Sequence, residues 1–142
     1  MLGDPRFRAA LAAGPLFWLL LLAAGFSPAR PEWALERPGL FLSLALLYPV
    51  AEEVLFRGLL QEALARRLPT VPRGPLSSAN LATSAAFSAL HFPGHPPLWA
   101  AGVFLPSLLF GYFKDRYGRL SAPITLHATY NSGYYLLLFQ PP

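Results

Sequence analysis

Long apolar runs, separated by short polar joints, are the dominant pattern along this chain. A helix needs about 20 mostly apolar residues to cross the hydrocarbon core of a bilayer, so runs of this length predict membrane helices. Proline and glycine occur at the joints, where they favour helix ends and turns. The apolar runs lie at 7–26, 40–64, 76–92, 97–113 and 121–139. The pattern therefore predicts an all-α fold, a polytopic membrane helix bundle of about five transmembrane helices.

Three of these runs depart from a simple span. The run at 7–26 follows Arg6 and Arg8 and has features of a cleaved signal peptide. Its apolar part is long for a signal and more runs follow, so we expect a retained helix. The runs at 76–92 and 97–113 are short, which permits a half-span or a locally thinned bilayer.

Positively charged residues between the runs predict the orientation. With five spans, most of them face one side of the membrane, and only Arg30 and Arg37 face the other. Cytoplasmic loops carry an excess of Lys and Arg, so we expect a cytoplasmic amino terminus and an external carboxy terminus. The cytoplasmic set is Arg6, Arg8, Arg66, Arg67, Arg73, Lys114, Arg116 and Arg119.

Composition supports a membrane protein and excludes several other classes. Hydrophobic residues make up 54% of the chain and charged residues 13%, where soluble domains carry about 25% charged residues. The net charge is +4, but the basic residues lie between apolar runs, so we expect no nucleic-acid partner. The chain has no cysteine, which excludes disulfides, thiol catalysis and thiolate metal sites. Its Arg-, Ala- and Pro-rich composition is typical of a bacterial protein, and we expect a bacterial inner-membrane location.

Three charged residues interrupt the second apolar run, in the stretch AEEVLFRGLLQ at 51–61. A charge at the centre of a membrane helix costs ~2.5–3.5 kcal/mol on insertion scales. Glu53 and Arg57 are spaced i,i+4, so they share a helix face and can pair. Glu52 lies about 100° around the helix and needs another partner: water, a metal or a histidine. Glu52 is therefore a candidate general base, whereas Glu53 and Arg57 fit a structural pair as well as a direct catalytic role.

Two histidines and an asparagine lie in other apolar runs. His91 ends the third run in FSALH, and His127 and Asn131 are spaced i,i+4 in HATYN of the fifth. Each alone could simply bond a carbonyl inside the bundle. Together with Glu52 they supply a base, two imidazoles and an amide donor, a set typical of a hydrolase. His95, in the turn HFPGHPP, is expected to be a loop residue without a role.

Two mechanisms fit these side chains. In the first, Glu52 and His91 hold a water and remove its proton, while His127 and Asn131 donate hydrogen bonds to the oxyanion. In the second, Glu52, His91 and His127 bind Zn²⁺ and leave a fourth position for water. An asparagine is a poor zinc ligand and a good oxyanion donor, which favours the metal-free mechanism.

Two other functional classes are consistent with the same residues. A non-catalytic membrane immunity or scaffold protein would use the buried charges only to hold its helices together. A proton or ion pathway would use the buried Glu and His residues as a relay.

The three motifs, taken in order, resemble those of the CAAX protease and bacteriocin-processing family of intramembrane peptidases, also called the CPBP or Abi family. The family pattern is a double glutamate with an arginine four residues after the second, then Phe-x-x-x-His, then His-x-x-x-Asn. It corresponds here to EEVLFR at 52–57, FSALH at 87–91 and HATYN at 127–131. The resemblance extends through EEVLFRGLLQ and GRLSAPITLH and covers about 40–139.

This resemblance implies an all-helical intramembrane endopeptidase of the glutamate type, historically labelled a metalloprotease. It implies that Glu52 is the base and acts with His91, and that His127 and Asn131 serve the oxyanion. Glu53 and Arg57 then resemble the supporting pair. We expect one domain over 1–142, with a four-helix catalytic core at about 40–139 preceded by the helix at 7–26.

The resemblance also sets expectations about cofactors and partners. We expect no cofactor, with Zn as the alternative. The expected partners are membrane lipid and a membrane-associated peptide or protein substrate. The chain is similar to small family members that are thought to work beside carboxy-terminal sorting tags. The small size of the chain also leads us to expect a homodimer, because two copies could enclose the site more fully.

Overall fold

The fold is all-helical over residues 1–69 and 75–139, which are the residues that the computed structural model describes. The predicted all-α class is confirmed. Arg73 of the predicted cytoplasmic set lies outside the described residues. The helices are α1 (Pro5–Ala23), α2 (Trp33–Glu36), α3 (Pro38–Ala65), α4 (Ser78–Ala89), α5 (Pro97–Gly102), α6 (Phe104–Tyr117) and α7 (Ser121–Leu137).

Local sequence signals explain where several helices begin and end. Helix α1 begins after Asp4, whose carboxylate accepts a hydrogen bond from the Arg6 amide at 2.9 Å. Helix α4 begins after Ser77, whose hydroxyl accepts from the Asn80 amide at 3.0 Å. Helix α6 ends at Gly118, where φ is 64° and the amide donates to the Lys114 carbonyl. A residue with a Cβ is strained in that left-handed conformation, so glycine makes this helix end sharp.

Helix α3 is α-helical with two π-helical segments. It contains π-helical segments at Ser43–Leu47 and Val54–Gln61, on either side of the α-helical turn Tyr48–Glu53. Segments of π-helix are rare and are often found at functional sites. The turn that carries both glutamates therefore lies between two irregular stretches of the same helix.

The lengths of the helices differ from the predicted spans. Among the helices of residues 1–69 and 75–139, two, α1 and α3, have the length and apolar composition to cross a membrane. Helix α4 has 12 residues, which corresponds to about 18 Å of rise against the ~30 Å of hydrocarbon. The predicted run at 97–113 forms two helices, α5 and α6, with a break at Val103. Helix α4 ends at Ala89, before His91 and before the end of the third apolar run.

The chain forms two compact units, and helices α3 and α7 contribute residues to both. The first unit comprises Met1–Ala51 and Thr125–Pro142. In it, the Tyr130 hydroxyl donates to the Ala10 carbonyl at 2.6 Å, and the Trp33 indole donates to the Tyr135 carbonyl at 2.9 Å. Bonds from side chains to carbonyls of neighbouring helices suit a bilayer, which offers no water as a partner.

The second unit, Glu52–Ile124, is held together by buried polar contacts between α3, α4 and α6. The side-chain nitrogen of Asn80 donates to the Leu108 carbonyl at 2.9 Å, and its side-chain oxygen accepts from the Ser84 hydroxyl at 3.0 Å. The Gln61 amide donates to the Gly111 carbonyl at 3.1 Å and to Asp115 at 2.7 Å. Polar side chains thus join three helices whose lipid-facing surfaces are apolar.

Gly111 of α6 packs directly against the Asn80 and Gln61 side chains, and this close approach yields a prediction. A Cβ at this position would overlap the Asn80 side chain and lie 2.9 Å from the Gln61 oxygen. Asn80 cannot move away without losing its bonds to Leu108 and Ser84. We expect Gly111→Ala to lower the free energy of unfolding by about 1–3 kcal/mol, measured by thermal unfolding in detergent.

Gly102→Ala is the matched control, because a Cβ there meets nothing within 4 Å. Equal unfolding midpoints for the two variants would contradict this account of the packing.

Candidate active site

A pocket in the second unit brings Glu52 and His91 together. It has a volume of about 280 Å³ and lies between the α3 turn that carries the glutamates and the carboxyl end of α4. Its polar side chains are Glu52, His91 and His95, and its remaining lining is Phe56, Phe87, Leu90 and Gly94. A carboxylate and imidazoles on an otherwise apolar wall are the features expected of a hydrolytic site.

Phe87 fixes the position of His91 in two ways. Its carbonyl lies 2.8 Å from His91 Nδ1, and its ring centroid lies 4.7 Å from that of the imidazole. A carbonyl can only accept, so this bond requires the proton of the neutral ring on Nδ1. The Nε2 atom then carries the lone pair and can accept a proton or a hydrogen bond from water. The i,i+4 spacing of Phe87 and His91 thus places the Phe87 carbonyl and ring where they orient the imidazole.

The buried ion pair of Glu53 and Arg57 lies beside this pocket. Arg57 Nη1 is 3.1 Å from Glu53 Oε1, and both side chains are fully buried. Arg57 Nη2 donates to the backbone oxygen of Ser107 at 2.9 Å and to its hydroxyl at 2.6 Å. A buried charge pair is costly unless further hydrogen bonds use its remaining capacity, and Ser107 of α6 uses part of that of Arg57.

Aromatic rings connect the ion pair with the histidine. The Arg57 guanidinium carbon lies 4.7 Å from the centroid of the Phe87 ring and 5.5 Å from that of Phe110. Phe87 also packs edge-on against Phe56, with centroids 4.9 Å apart. A guanidinium over a ring face is an attractive arrangement, and more so where water is excluded. The pair therefore orients the same phenylalanine that orients His91.

His127 and Asn131 belong to the first unit, on helix α7. His127 is buried, and Asn131 is partly buried. The Asn131 amide donates to the Leu44 carbonyl at 3.1 Å, in the first π-helical segment of α3. A carboxamide nitrogen has two N–H groups, so one can hold the side chain in place while the other serves a ligand. The i,i+4 spacing of His127 and Asn131 places both side chains on one face of α7.

Sequence reasoning missed two residues of this region. Ser107 completes the hydrogen bonding of Arg57, but a lone serine in an apolar run carries no signal of that role. His95 lines the pocket, and its ring stacks on that of His91 with centroids 5.7 Å apart and planes inclined at 23°. His95 lies in the turn, as expected, and its side chain also lines the pocket, which the sequence analysis did not predict. The repeated i,i+4 spacing of Phe87, His91 and His95 was the available signal.

Within residues 1–69 and 75–139, no group of three or more His, Cys, Asp or Glu side chains is arranged to hold a metal ion.

The pocket chemistry follows from its polar groups. Glu52 supplies a carboxylate that accepts hydrogen bonds, and His91 supplies a second acceptor at Nε2. Two acceptors can hold both protons of one water and leave an oxygen lone pair directed away from them. This arrangement is suited to general-base activation of water.

A family model described as type II CAAX prenyl endopeptidase Rce1-like matches residues 34–133 of the chain. The matched range includes the double glutamate, His91, His127 and Asn131. Neither a curated protein nor a solved structure is significantly similar to the chain.

The buried ion pair of Glu53 and Arg57 gives a prediction about the stability of the protein. We expect Arg57→Ala to lower the free energy of unfolding by about 3–5 kcal/mol, because the buried Glu53 carboxylate loses its cation. The stability of Arg57→Lys should lie between those of the wild type and Arg57→Ala. Lysine keeps the positive charge, but its ammonium cannot reproduce the two bonds to Ser107. Unfolding in detergent, followed by circular dichroism, provides the measurement.

The control for the ion pair is Arg66→Ala, at an exposed position near the end of α3. It should change the unfolding free energy by less than about 0.5 kcal/mol. If Arg57→Ala is as stable as Arg66→Ala, then the pair does not support the site.

Proposed function

Because the chain belongs to the Rce1-like family of type II CAAX prenyl endopeptidases, we propose that it is a glutamate-type intramembrane peptidase. The family indicates CAAX intramembrane endopeptidase activity in general. In our proposal, Glu52 and His91 activate the attacking water, and His127 and Asn131 stabilise the oxyanion. The observation that carries this proposal is the pocket that Glu52 and His91 share.

The first step is attack of water on the scissile carbonyl. Glu52 takes the proton of the water as its oxygen attacks, and His91 Nε2 orients the water through a second hydrogen bond. The Phe87 carbonyl supports this role, because it keeps the proton of His91 on Nδ1. The rings of Phe56 and Phe87 form an apolar wall of the same pocket. The protonated Glu52 then donates its proton to the leaving amine.

The second requirement is a donor set for the oxyanion. Asn131 has an N–H group beyond the one bonded to Leu44, and a His127 ring N–H is the second donor. Donors fixed before the reaction stabilise developing charge without the cost of reorienting solvent. The Leu44 bond supports this assignment, since it fixes the Asn131 side chain through a group that the substrate does not use.

We propose a metal-free reaction on the chemistry of the residues. The set contains a carboxamide, which is a poor zinc ligand and a good donor to an oxyanion. The zinc alternative would use Glu52, His91 and His127, with a water in the fourth position. The assay below separates the two through chelation.

The setting of the reaction is also part of the proposal. We propose a bacterial inner-membrane protein with a cytoplasmic amino terminus and an external carboxy terminus, on the distribution of Arg and Lys. The substrate is a membrane-associated polypeptide, such as a protein with a carboxy-terminal sorting tag. Membrane lipid surrounds the helices, and a homodimer would enclose the site further.

The central residue test is Glu52→Gln. Glutamine keeps the size of the side chain but removes the base, so turnover should fall at least about 10²–10⁴-fold with the fold intact. The measurement is cleavage of fluorogenic membrane-anchored peptides, including a prenylated CAAX peptide, by the protein in proteoliposomes. Glu36→Gln is the same chemical change at an exposed position and should leave turnover unchanged.

Two outcomes of this assay would contradict parts of the proposal. Undiminished turnover by Glu52→Gln would exclude Glu52 as the base, whereas absence of cleavage by the wild type would favour the scaffold function. Loss of wild-type turnover after exhaustive chelation, with recovery on addition of zinc, would replace the metal-free reaction with the zinc alternative.

Asn131→Ala tests the oxyanion assignment. A donor used only in the transition state should lower kcat by about 10²–10³-fold and leave KM nearly unchanged. Thr129→Ala is the control on the same helix, because the Thr129 hydroxyl bonds to the Thr125 carbonyl one turn earlier in α7 at 2.7 Å. An increase in KM with unchanged kcat would instead assign Asn131 to substrate binding.

A further inference from the structure

We propose that His95 is a positioning residue of this site, whose ring stacks on His91 and holds that imidazole in its working orientation. The inference rests on the proposed function, since it assigns His95 to the group that orients the attacking water. It adds a residue outside the three motifs to the machinery of the pocket.

The contacts of the His91 ring carry this inference. The ring lies against Phe87, with centroids 4.7 Å apart, and against His95, with centroids 5.7 Å apart. The planes of the two imidazoles are inclined at only 23°, which is an offset-stacked arrangement. The Phe87 carbonyl fixes the position of His91 Nδ1. A single hydrogen bond does not by itself fix the tilt of the imidazole ring. A second ring contact restricts that tilt and so fixes the direction of Nε2.

The turn that carries His95 is held at both ends. On the α4 side, the His91 amide donates to the Ser88 carbonyl at 3.0 Å. On the α5 side, the buried Ser88 hydroxyl donates to the Ala100 carbonyl at 2.7 Å. Ser88 therefore ties both flanking helices together beneath the turn.

Proline restricts the backbone of the turn itself. His95 precedes Pro96, which confines it to extended conformations, and Pro97 begins α5. Little conformational entropy is therefore lost when the His95 ring stacks.

The test compares His95→Ala with His95→Phe in the proteoliposome assay. His95→Ala removes the stacked ring, and we expect kcat to fall about three- to tenfold with KM nearly unchanged. His95→Phe keeps a stacked ring without a ring nitrogen and should stay within about twofold of wild type. Phe92→Ala, an exposed aromatic residue of the same turn that does not line the pocket, is the control and should behave as wild type.

A second readout does not depend on catalysis. Solid-state NMR of ¹⁵N-histidine-labelled protein in lipid resolves the tautomer of each ring, and the chain has three histidines. We expect His91 to hold its proton on Nδ1 in the wild type and in His95→Phe. In His95→Ala the signals should broaden into a mixture of tautomers, because the ring can turn away from the Phe87 carbonyl.

The inference is overturned if His91 keeps a single tautomer in His95→Ala, or if His95→Phe is as impaired as His95→Ala. The latter result would mean that a ring nitrogen of His95, rather than its stacking, is required. Failure of the proposed function is a separate result, namely equal turnover by Glu52→Gln and wild type. The tautomer comparison still tests the stacking in that case.

Discussion

The ion pair between Glu53 and Arg57 is the interaction on which the second unit depends. Moving two charges out of water is expensive, and their attraction offsets that cost only if the geometry is good and other hydrogen bonds are made. The structure meets both conditions, through a 3.1 Å contact within α3 and two bonds from Arg57 to Ser107 of α6. The guanidinium also lies over the Phe87 ring of α4. One buried cation therefore connects three helices, and a neutral residue could not make the same set of contacts.

The pair also explains why the two adjacent glutamates have different environments. Glu53 is fully buried against Arg57, whereas Glu52 is partly exposed and lines the pocket. Because neighbouring residues of a helix point in different directions, one turn can supply both a structural anion and a reactive one. From Arg57 the contacts continue through Phe87 to His91 and His95. Reactive groups are thus held by side chains that are themselves packed, as a preorganised site requires.

Periodicity and spacing predicted the features that depend on local geometry. The apolar runs predicted the helices, and the i,i+4 spacing predicted the contact of Glu53 with Arg57. The π-helical segments of α3 could not be predicted, because such winding depends on tertiary packing rather than on hydrophobic periodicity. The break at Val103 lies within a continuous apolar run, where Gly102 directly before it was the available but weak signal of a helix end. The stacking of His95 on His91 was missed because Pro93 and Gly94 predict a turn between them, so their i,i+4 spacing was not taken as a shared face.

The oxyanion assignment rests on the chemistry of His127 and Asn131 together with the bond that orients Asn131. The account requires these donors and the pair of Glu52 and His91 to act on one substrate carbonyl. The most direct measurement is an experimental structure of the protein in lipid with a phosphonate peptide, whose tetrahedral anion mimics the intermediate of hydrolysis. The account predicts that the phosphonate oxygens lie within hydrogen-bond distance of His127 and Asn131, with Glu52 and His91 on the side from which water attacks. A phosphonate bound away from these four side chains would contradict it.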